Sequence, residues 1–111
     1  MAPVRRHEGI RRRHVIARKE TIDPEKAGEF EAAVASAAPH FRSAAGCDGM
    51  SLERVIEFPG RYHLVVLWET VEHHTVTFRG SEGFKSWRAL AGPFFASPPV
   101  VTHTELVARQ F

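Results

Sequence analysis

The chain has 111 residues, 43% of them hydrophobic and 25% charged, which is the composition of one globular domain. Its only cysteine, Cys47, excludes an internal disulfide and any zinc site built from several cysteines, and it fits the reducing cytoplasm, where we expect the protein to reside. The net charge of +2 is uneven, because five arginines and one glutamate give residues 1–14 a charge of +4.

The arginine-rich start is interpreted as a separate segment. We predict a basic flexible arm at residues 1–12 and a folded domain at residues 13–111. Arginine-rich arms can bind nucleic acid or anionic lipid, but no aromatic residues interleave with these arginines, so we expect neither partner. No apolar run approaches the about 18 residues that cross a bilayer, so no membrane association is predicted.

The first part of the domain predicts a strand and then a helix. The short, partly alternating stretch "HVIARKE" (14–20) is typical of a strand. Asp23 is a suitable helix N-cap and Pro24 a suitable first helical residue, while Pro39 should kink or end the helix. One apolar stripe runs along this helix: Phe30, Val34, Ala37 and Phe41.

The second part predicts a hairpin, two helical segments and a last strand. Residues 50–58 and 61–69 flank a Pro-Gly turn, which indicates two antiparallel strands. Thr70 is positioned to cap a helix that runs to Arg79, and Ser81 to cap a helix over residues 82–92. Residues 100–108 form the last predicted strand.

This order of elements is that of the α+β, ferredoxin-like split βαβ fold, with an antiparallel sheet and helices on one face. The strand "YHLVVLW" is apolar at nearly every position, although a sheet with one wet face should alternate. We therefore expect the second face to be covered too, by a partner sheet or around a ligand.

Three stretches carry a resemblance to a known family: "IDPEKAGEFEAAV", "AGCDGMSLERVIEFPGRYHLVVLWET" and "FRGSEGFKSWRALAGPF". The chain resembles the antibiotic biosynthesis monooxygenase family of the dimeric α/β-barrel superfamily. The resemblance implies a homodimer whose two sheets pack face to face, with a pocket between sheet and helices in each protomer. Well-known members oxygenate aromatic polyketides or quinols with molecular oxygen and without metal or flavin, whereas relatives degrade heme or cyclise polyketides.

The resemblance also assigns site residues when the chains are aligned on "LWET". Trp68 falls on the tryptophan of the oxygenase pocket, and Arg88 on an arginine that lines it. His74 falls where the polyketide oxygenase has a tyrosine, and Leu64 where it has an asparagine, which puts the same substrate in doubt. The iron-ligating histidine of the heme-degrading branch also aligns near Arg88, and arginine does not ligate iron, so heme binding is the least favoured reading.

The residues themselves indicate an apolar pocket for a flat aromatic molecule, formed where one strand face meets two helix faces. In this hypothesis His74 is the general base, Arg88 stabilises the oxyanion, and Trp68 packs the aromatic ring and excludes water. The predicted substrate-binding residues are Tyr62, Leu64, Val66, Phe78, Phe84, Trp87 and His103.

Simpler interpretations stand beside these roles. Trp68 could be core, Arg88 could form a surface ion pair, and the face that His103 occupies is left open. Adjacent helical residues point about 100° apart, so one of His73 and His74 should be solvated. A metal needs three converging ligands, and no recognised ligand spacing occurs, so none is predicted.

The predicted function is a cofactor-independent monooxygenase that acts on an aromatic, polyketide- or quinol-like molecule, with oxygen as co-substrate. The alternatives are a polyketide cyclase-like enzyme of the same fold and a non-catalytic ligand-binding or dimerisation module.

Overall fold

A computed structural model describes residues 14–111, so the arm predicted at residues 1–12 lies outside the described part. One antiparallel sheet has the strand order β2-β3-β1-β4. Its strands are β1 (His14–Thr21), β2 (Cys47–Arg54), β3 (Arg61–Trp68) and β4 (Val100–Glu105). The main helices are α1 (Ala27–Arg42) and α2 (Glu82–Ala91). This topology confirms the predicted ferredoxin-like α+β fold.

The core lies between one face of the sheet and the two helices. Along β3 the buried side chains alternate with half-buried ones, because successive residues of a strand point to opposite faces. The buried set is Tyr62, Leu64, Val66 and Trp68. The predicted stripe of α1 is confirmed, since Phe30, Val34, Ala37 and Phe41 are all buried in this core.

The start of the first helical segment is as predicted, but its proline is not a terminator. The Asp23 carboxylate accepts from the backbone N–H of Glu25 at 3.0 Å and caps a 3-10 turn (Pro24–Lys26) that leads into α1. Pro39 lies inside α1, which continues to Arg42. A proline three residues from the last residue removes only one hydrogen bond, and its own carbonyl still accepts from the backbone N–H of Ser43 at 3.1 Å.

Two strand boundaries differ from the prediction. β2 begins at Cys47 and ends at Arg54, not at residues 50–58, because the chain turns after Val55. Ile56 and Phe58, which read as strand residues, are 89% and 53% exposed in this turn. β4 ends at Glu105, and the apolar residues that follow it in the predicted strand extend into solvent.

The segment after β3 is a π-helix (His73–Phe78), where the sequence predicts an α-helix. Thr70 does cap it, as expected, because its Oγ1 accepts from the backbone N–H of His73 at 3.2 Å. Single-turn π-helices often occur at functional sites, because they redirect side chains within a helical segment. Here both His74 and Phe78 are directed into the core.

The second face of the sheet carries no helix among the described residues. Half-buried side chains of β3, including Val65 and Leu67, lie on this face beside Ser51 of β2. In the part of the chain that the structure describes, no helix is both long and apolar enough to cross a membrane.

Candidate active site

Three aromatic rings, one indole and two imidazoles, meet at the end of β3. They are here called the Trp68–His74–His103 cluster. The imidazole of His74 lies over the indole of Trp68, with ring centroids 5.7 Å apart and planes tilted by 31°. Trp68 is fully buried and His74 is only 4% exposed. The strand end supplies the indole and the π-helix supplies the imidazole, so β3, Thr70 and the helical turn together position the pair.

The second histidine of the sequence pair has a different environment. The imidazole Nδ1 of His73 lies 2.8 Å from Oγ1 of Thr70, and its ring fills the space beside Gly46. Gly46 has a φ of +80°, and a Cβ there would collide with this ring, so both features require glycine. The side chains of His73 and His74 point in different directions, as predicted. His73, however, is half-buried against Gly46, whereas one histidine of the pair was expected to be solvated.

His103 occupies the helix-facing side of the sheet, which the sequence left undecided. It pairs with Ile16 of β1, and Ile16 pairs with the buried Val66 of β3, so these positions share one face. Its Nε2 lies 3.2 Å from Nδ1 of His74, and the two ring centroids are 5.3 Å apart. The described fold therefore joins two histidines that are 29 residues apart in the chain.

Arg88 lies outside this cluster. α2 turns Trp87 and Ala91 inward, and the next residue, Arg88, is about 100° from Trp87 around the helix axis, so it is exposed. Its guanidinium lies 5.9 Å from the ring centroid of Phe84. The sequence hypothesis placed Arg88 in the pocket with Trp87, whereas in the structure Trp87 is buried and Arg88 is exposed. The alternative interpretation was a surface ion pair of Arg88 with Glu82 or another acid; the carboxylate of Glu82 pairs with Lys85 at 3.1 Å.

Most of the predicted substrate-binding side chains form the packed core. The aromatic residues of α1 fill the space between sheet and helices. The ring centroids of Phe41 and Trp87 are 5.3 Å apart, and those of Phe30 and Tyr62 are 5.0 Å apart. Five of the predicted residues are at most 2% exposed: Tyr62, Leu64, Val66, Phe78 and Trp87. Phe84 is partly buried against the same core. Contact of these residues with a substrate stays a prediction.

The indole N–H of Trp68 is a buried donor with no acceptor within hydrogen-bonding distance among the described residues. A buried polar group without a partner costs free energy, so each such group in a native structure needs an explanation, of which a catalytic role is one. This donor belongs to the ring that packs against the imidazole of His74.

Two clefts open elsewhere on the surface of the described residues. One, of about 280 Å³, lies between the end of α1 and the start of α2 and reaches Phe78. The other, of about 570 Å³, lies between α1 and β2. His74, Trp68 and Arg88 line neither cleft. Among the described residues, no three potential ligands converge closely enough to hold a metal ion.

A separate polar group ties α1 to the hairpin. Tyr62 donates its hydroxyl proton to Oε2 of Glu31 at 2.5 Å, and Nη2 of Arg54 donates to the same oxygen at 3.0 Å. The hydrogen bond from Tyr62 and then that from Arg54 lower the pKa of Glu31. Burial, followed by the bond to Glu31, raises the pKa of Tyr62. Tyr62 was predicted to bind substrate in a pocket, whereas in the structure its phenol has a carboxylate partner, Glu31.

We expect Glu31→Gln to destabilise the protein at neutral pH and to have little effect in acid. Because the folded-state pKa of Glu31 is depressed, its contribution is fully present above the ordinary value of 4.5 and is lost as pH falls through the folded-state value. Urea unfolding of both proteins from about pH 7 to about pH 3 should show the stability gap closing with acid. Glu29→Gln, at an exposed position of the same helix, is the control, and a gap independent of pH would contradict the assignment.

Two features of the structure, one of them outside the cluster, were missed by sequence reasoning. Glu20 is a fully buried carboxylate at the end of β1, opposite Tyr62 in the sheet. Its burial depends on the register of β1 with β3, which no spacing within β1 indicates. The contact between His74 and His103 had no signal in the spacing, because it depends on strand order.

Comparisons with known proteins give one consistent family. The family model for antibiotic biosynthesis monooxygenase matches residues 12–90. The uncharacterised protein YczJ of Bacillus subtilis strain 168 is 41% identical over 75 residues, which cover 68% of this chain and 79% of that protein.

Solved structures agree in fold. A Bordetella bronchiseptica protein that carries antibiotic biosynthesis monooxygenase as a proposed name is 47% identical, with a TM-score of 0.82 over 87% of this chain and 98% of that one. A Caulobacter crescentus CB15 protein with the same proposed name is 23% identical, with a TM-score of 0.75 over 94% and 99% of the two chains, and it supports the fold alone.

Proposed function

Since the chain belongs to the antibiotic biosynthesis monooxygenase family, we propose that it is a cofactor-independent monooxygenase acting on an aromatic, polyketide- or quinol-like small molecule. The observation that carries this proposal is the buried imidazole of His74, stacked on Trp68 and hydrogen-bonded to His103. A titratable group held in an aromatic, water-poor environment suits proton abstraction from an acidic aromatic substrate.

The proposed reaction needs no external reductant. His74 takes a proton from the acidic position of an anthrone- or hydroquinone-like ring, and the electron-rich anion reacts with oxygen. In the anthrone case a carbon–oxygen bond forms, and loss of water from the resulting peroxide leaves a carbonyl. The two hydrogens of the oxidised carbon leave with one oxygen atom as water, and the other oxygen atom stays in the product. Histidine suits the base role because it titrates near neutral pH.

Oxyanion stabilisation is assigned first to Trp68. Its unpaired indole N–H lies beside His74, and a hydrogen bond to developing negative charge strengthens in a site that excludes water. Arg88 is linked to the imidazole through three intervening rings, those of Phe84, Phe78 and Trp68. Its guanidinium lies over Phe84, Phe84 packs on Phe78 at 5.8 Å, and Phe78 packs on Trp68 at 5.4 Å. A role for Arg88 at the entrance of the site is part of the proposal.

The proposed assembly is a homodimer, in which the helix-free face of the sheet packs on its copy. Val65 and Leu67 give this face an apolar centre, and a 111-residue chain gains stability by covering such a surface. A reducing, cytoplasmic location belongs to the same proposal, since Cys47 is a free thiol.

A non-catalytic ligand-binding or dimerisation module is the second candidate. It is favoured by the complete burial of Trp68 and by the aromatic packing of α1 against the predicted pocket walls. The two candidates differ in one property, because only the enzyme consumes oxygen when it meets its substrate.

Oxygen uptake by purified protein tests the proposal directly. We expect metal-stripped protein to consume oxygen with at least one anthrone or hydroquinone of a panel, above the rate in buffer. With ¹⁸O₂, one labelled atom should enter each molecule of product. A folded dimer that accelerates oxygen uptake with no compound of the panel would favour the non-catalytic module.

A further inference from the structure

We propose that His103 sets the tautomer of His74 and carries protons between this buried imidazole and solvent, an inference that rests on the proposed function and deepens it. Two observations carry it: Nδ1 of His74 and Nε2 of His103 are 3.2 Å apart, and the two side chains differ sharply in exposure. His74 is 4% exposed, whereas His103 is an exposed residue of the edge strand β4. His103 is therefore a positioning residue that acts through His74.

The contact between two ring nitrogens holds one proton. One nitrogen must donate and the other accept, because two protonated nitrogens would repel and two bare ones would not bond. If His74 is to accept a substrate proton at Nε2, its own proton must sit on Nδ1. In that state His74 donates to Nε2 of His103, and His103 carries its proton on Nδ1. The pair thus selects the tautomer in which His74 can be a base.

Proton transfer along the pair balances over one cycle. When the substrate O–H or C–H bond breaks, its proton forms a new N–H bond at Nε2 of His74. The Nδ1 proton of His74 then moves to Nε2 of His103, and the Nδ1 proton of His103 leaves to water. The reverse sequence restores the starting tautomers: His74 returns its Nε2 proton to the oxygenated intermediate and regains one at Nδ1 from His103, which takes a proton from water.

The positions next to the pair, in strand register or along the chain, belong to two strands and the π-helix segment. On β4, Glu105 is the next residue on the face of His103 and is exposed. On β1, positions 14 and 18 pair with Glu105 and Val101 of β4 and therefore lie on the same face of the sheet. Glu72 and His73 flank His74 in the chain, and Trp68 of β3 adds an uncharged ring.

Nuclear magnetic resonance of the full chain, labelled with ¹⁵N in its histidines and free of substrate, tests the inference apart from activity. We expect His74 to carry its proton on Nδ1 in the neutral form and to titrate in a step coupled to His103. His103→Ala should remove this coupling and populate the other tautomer. His103→Gln should keep the tautomer, since its amide oxygen can accept from Nδ1, but abolish the coupled step. Thr104→Val, on the opposite face of β4, should change neither.

The result that overturns the inference is a His74 tautomer and titration that are unchanged in His103→Ala. If an oxidised substrate is found, His103→Ala should turn over about tenfold more slowly, a smaller effect than the ~10² expected for losing the base itself. Added imidazole should then restore the rate of His103→Ala in a saturable manner, and no rescue would overturn the proton-carrying part. Because the spectra need no turnover, a failed oxygen assay with a coupled pair would count against the proposed function alone.

Discussion

Replacing His74 with alanine is expected to lower oxygen consumption at saturating substrate by about 10²-fold or more, the usual loss when a general base is removed. The imidazole packs against Trp68 and is only 4% exposed, so water does not easily replace it. The measurement is the initial rate of oxygen uptake with the best compound of the panel. His74→Gln, which keeps more of the side-chain volume, should lose the same activity with a smaller loss of thermal stability.

The control for this variant is the neighbouring histidine. His73→Ala removes packing against Gly46 and the contact with Thr70, but it leaves the Trp68–His74–His103 cluster in place. We expect its thermal stability to fall and its rate per folded molecule to stay within about twofold, well inside the loss expected for the base. A His74→Ala protein that is folded and within about twofold of the original rate would show that His74 is not the base.

Replacing Trp87 with alanine is expected to lower the free energy of unfolding by about 3–5 kcal/mol, the range for removing a large aromatic side chain from a core. The indole of Trp87 is fully buried and packs on Phe41 and Phe95, with ring centroids 5.3 Å and 6.4 Å apart. A loss of this size is a large share of the stability of a small domain. Urea unfolding at one fixed protein concentration measures it, since dimerisation would make stability depend on concentration.

Arg88→Ala is the matched control, because Arg88 is the next residue of α2 but is exposed. We expect it to change the free energy of unfolding by no more than about 0.5 kcal/mol, as surface substitutions usually do. If Trp87→Ala lowered the free energy of unfolding no more than Arg88→Ala does, but abolished substrate binding, the indole would line a pocket and not the core. That outcome would restore the ligand-binding role that the sequence suggested for Trp87.

The sequence predicted the fold well, and its errors have local causes. The apolar strand β3, the apolar stripe of α1 and the caps at Asp23, Thr70 and Ser81 are all found in the structure. Each of these signals depends on neighbouring residues, which share one element. The predicted end of β2 was wrong because Ile56 and Phe58 lie in an exposed turn. Apolar residues of these types are typical of strands, so the sequence extended the strand through them.

The candidate site was predicted less completely, since it depends on contacts between elements. Burial of His74 beside Trp68 agrees with the prediction that one histidine of the pair turns inward. The π-helix was not predicted, because hydrogen bonding over five residues leaves no distinct apolar period in six residues. The face of Arg88 was assigned wrongly, because Phe84, Trp87 and Ala91 define a stripe that ends one residue short of it.

The sequence by itself determined the family, the order of elements and the divergence of the adjacent histidines, because motif, periodicity and helix geometry are local properties of the chain. Only the tertiary structure decided which partners the polar groups have. Strand order brings His103 to His74, and the aromatic residues of α1 occupy the space where the sequence placed a pocket. Sheet pairing and the filling of volume involve residues far apart in the chain, and no spacing within one segment encodes them.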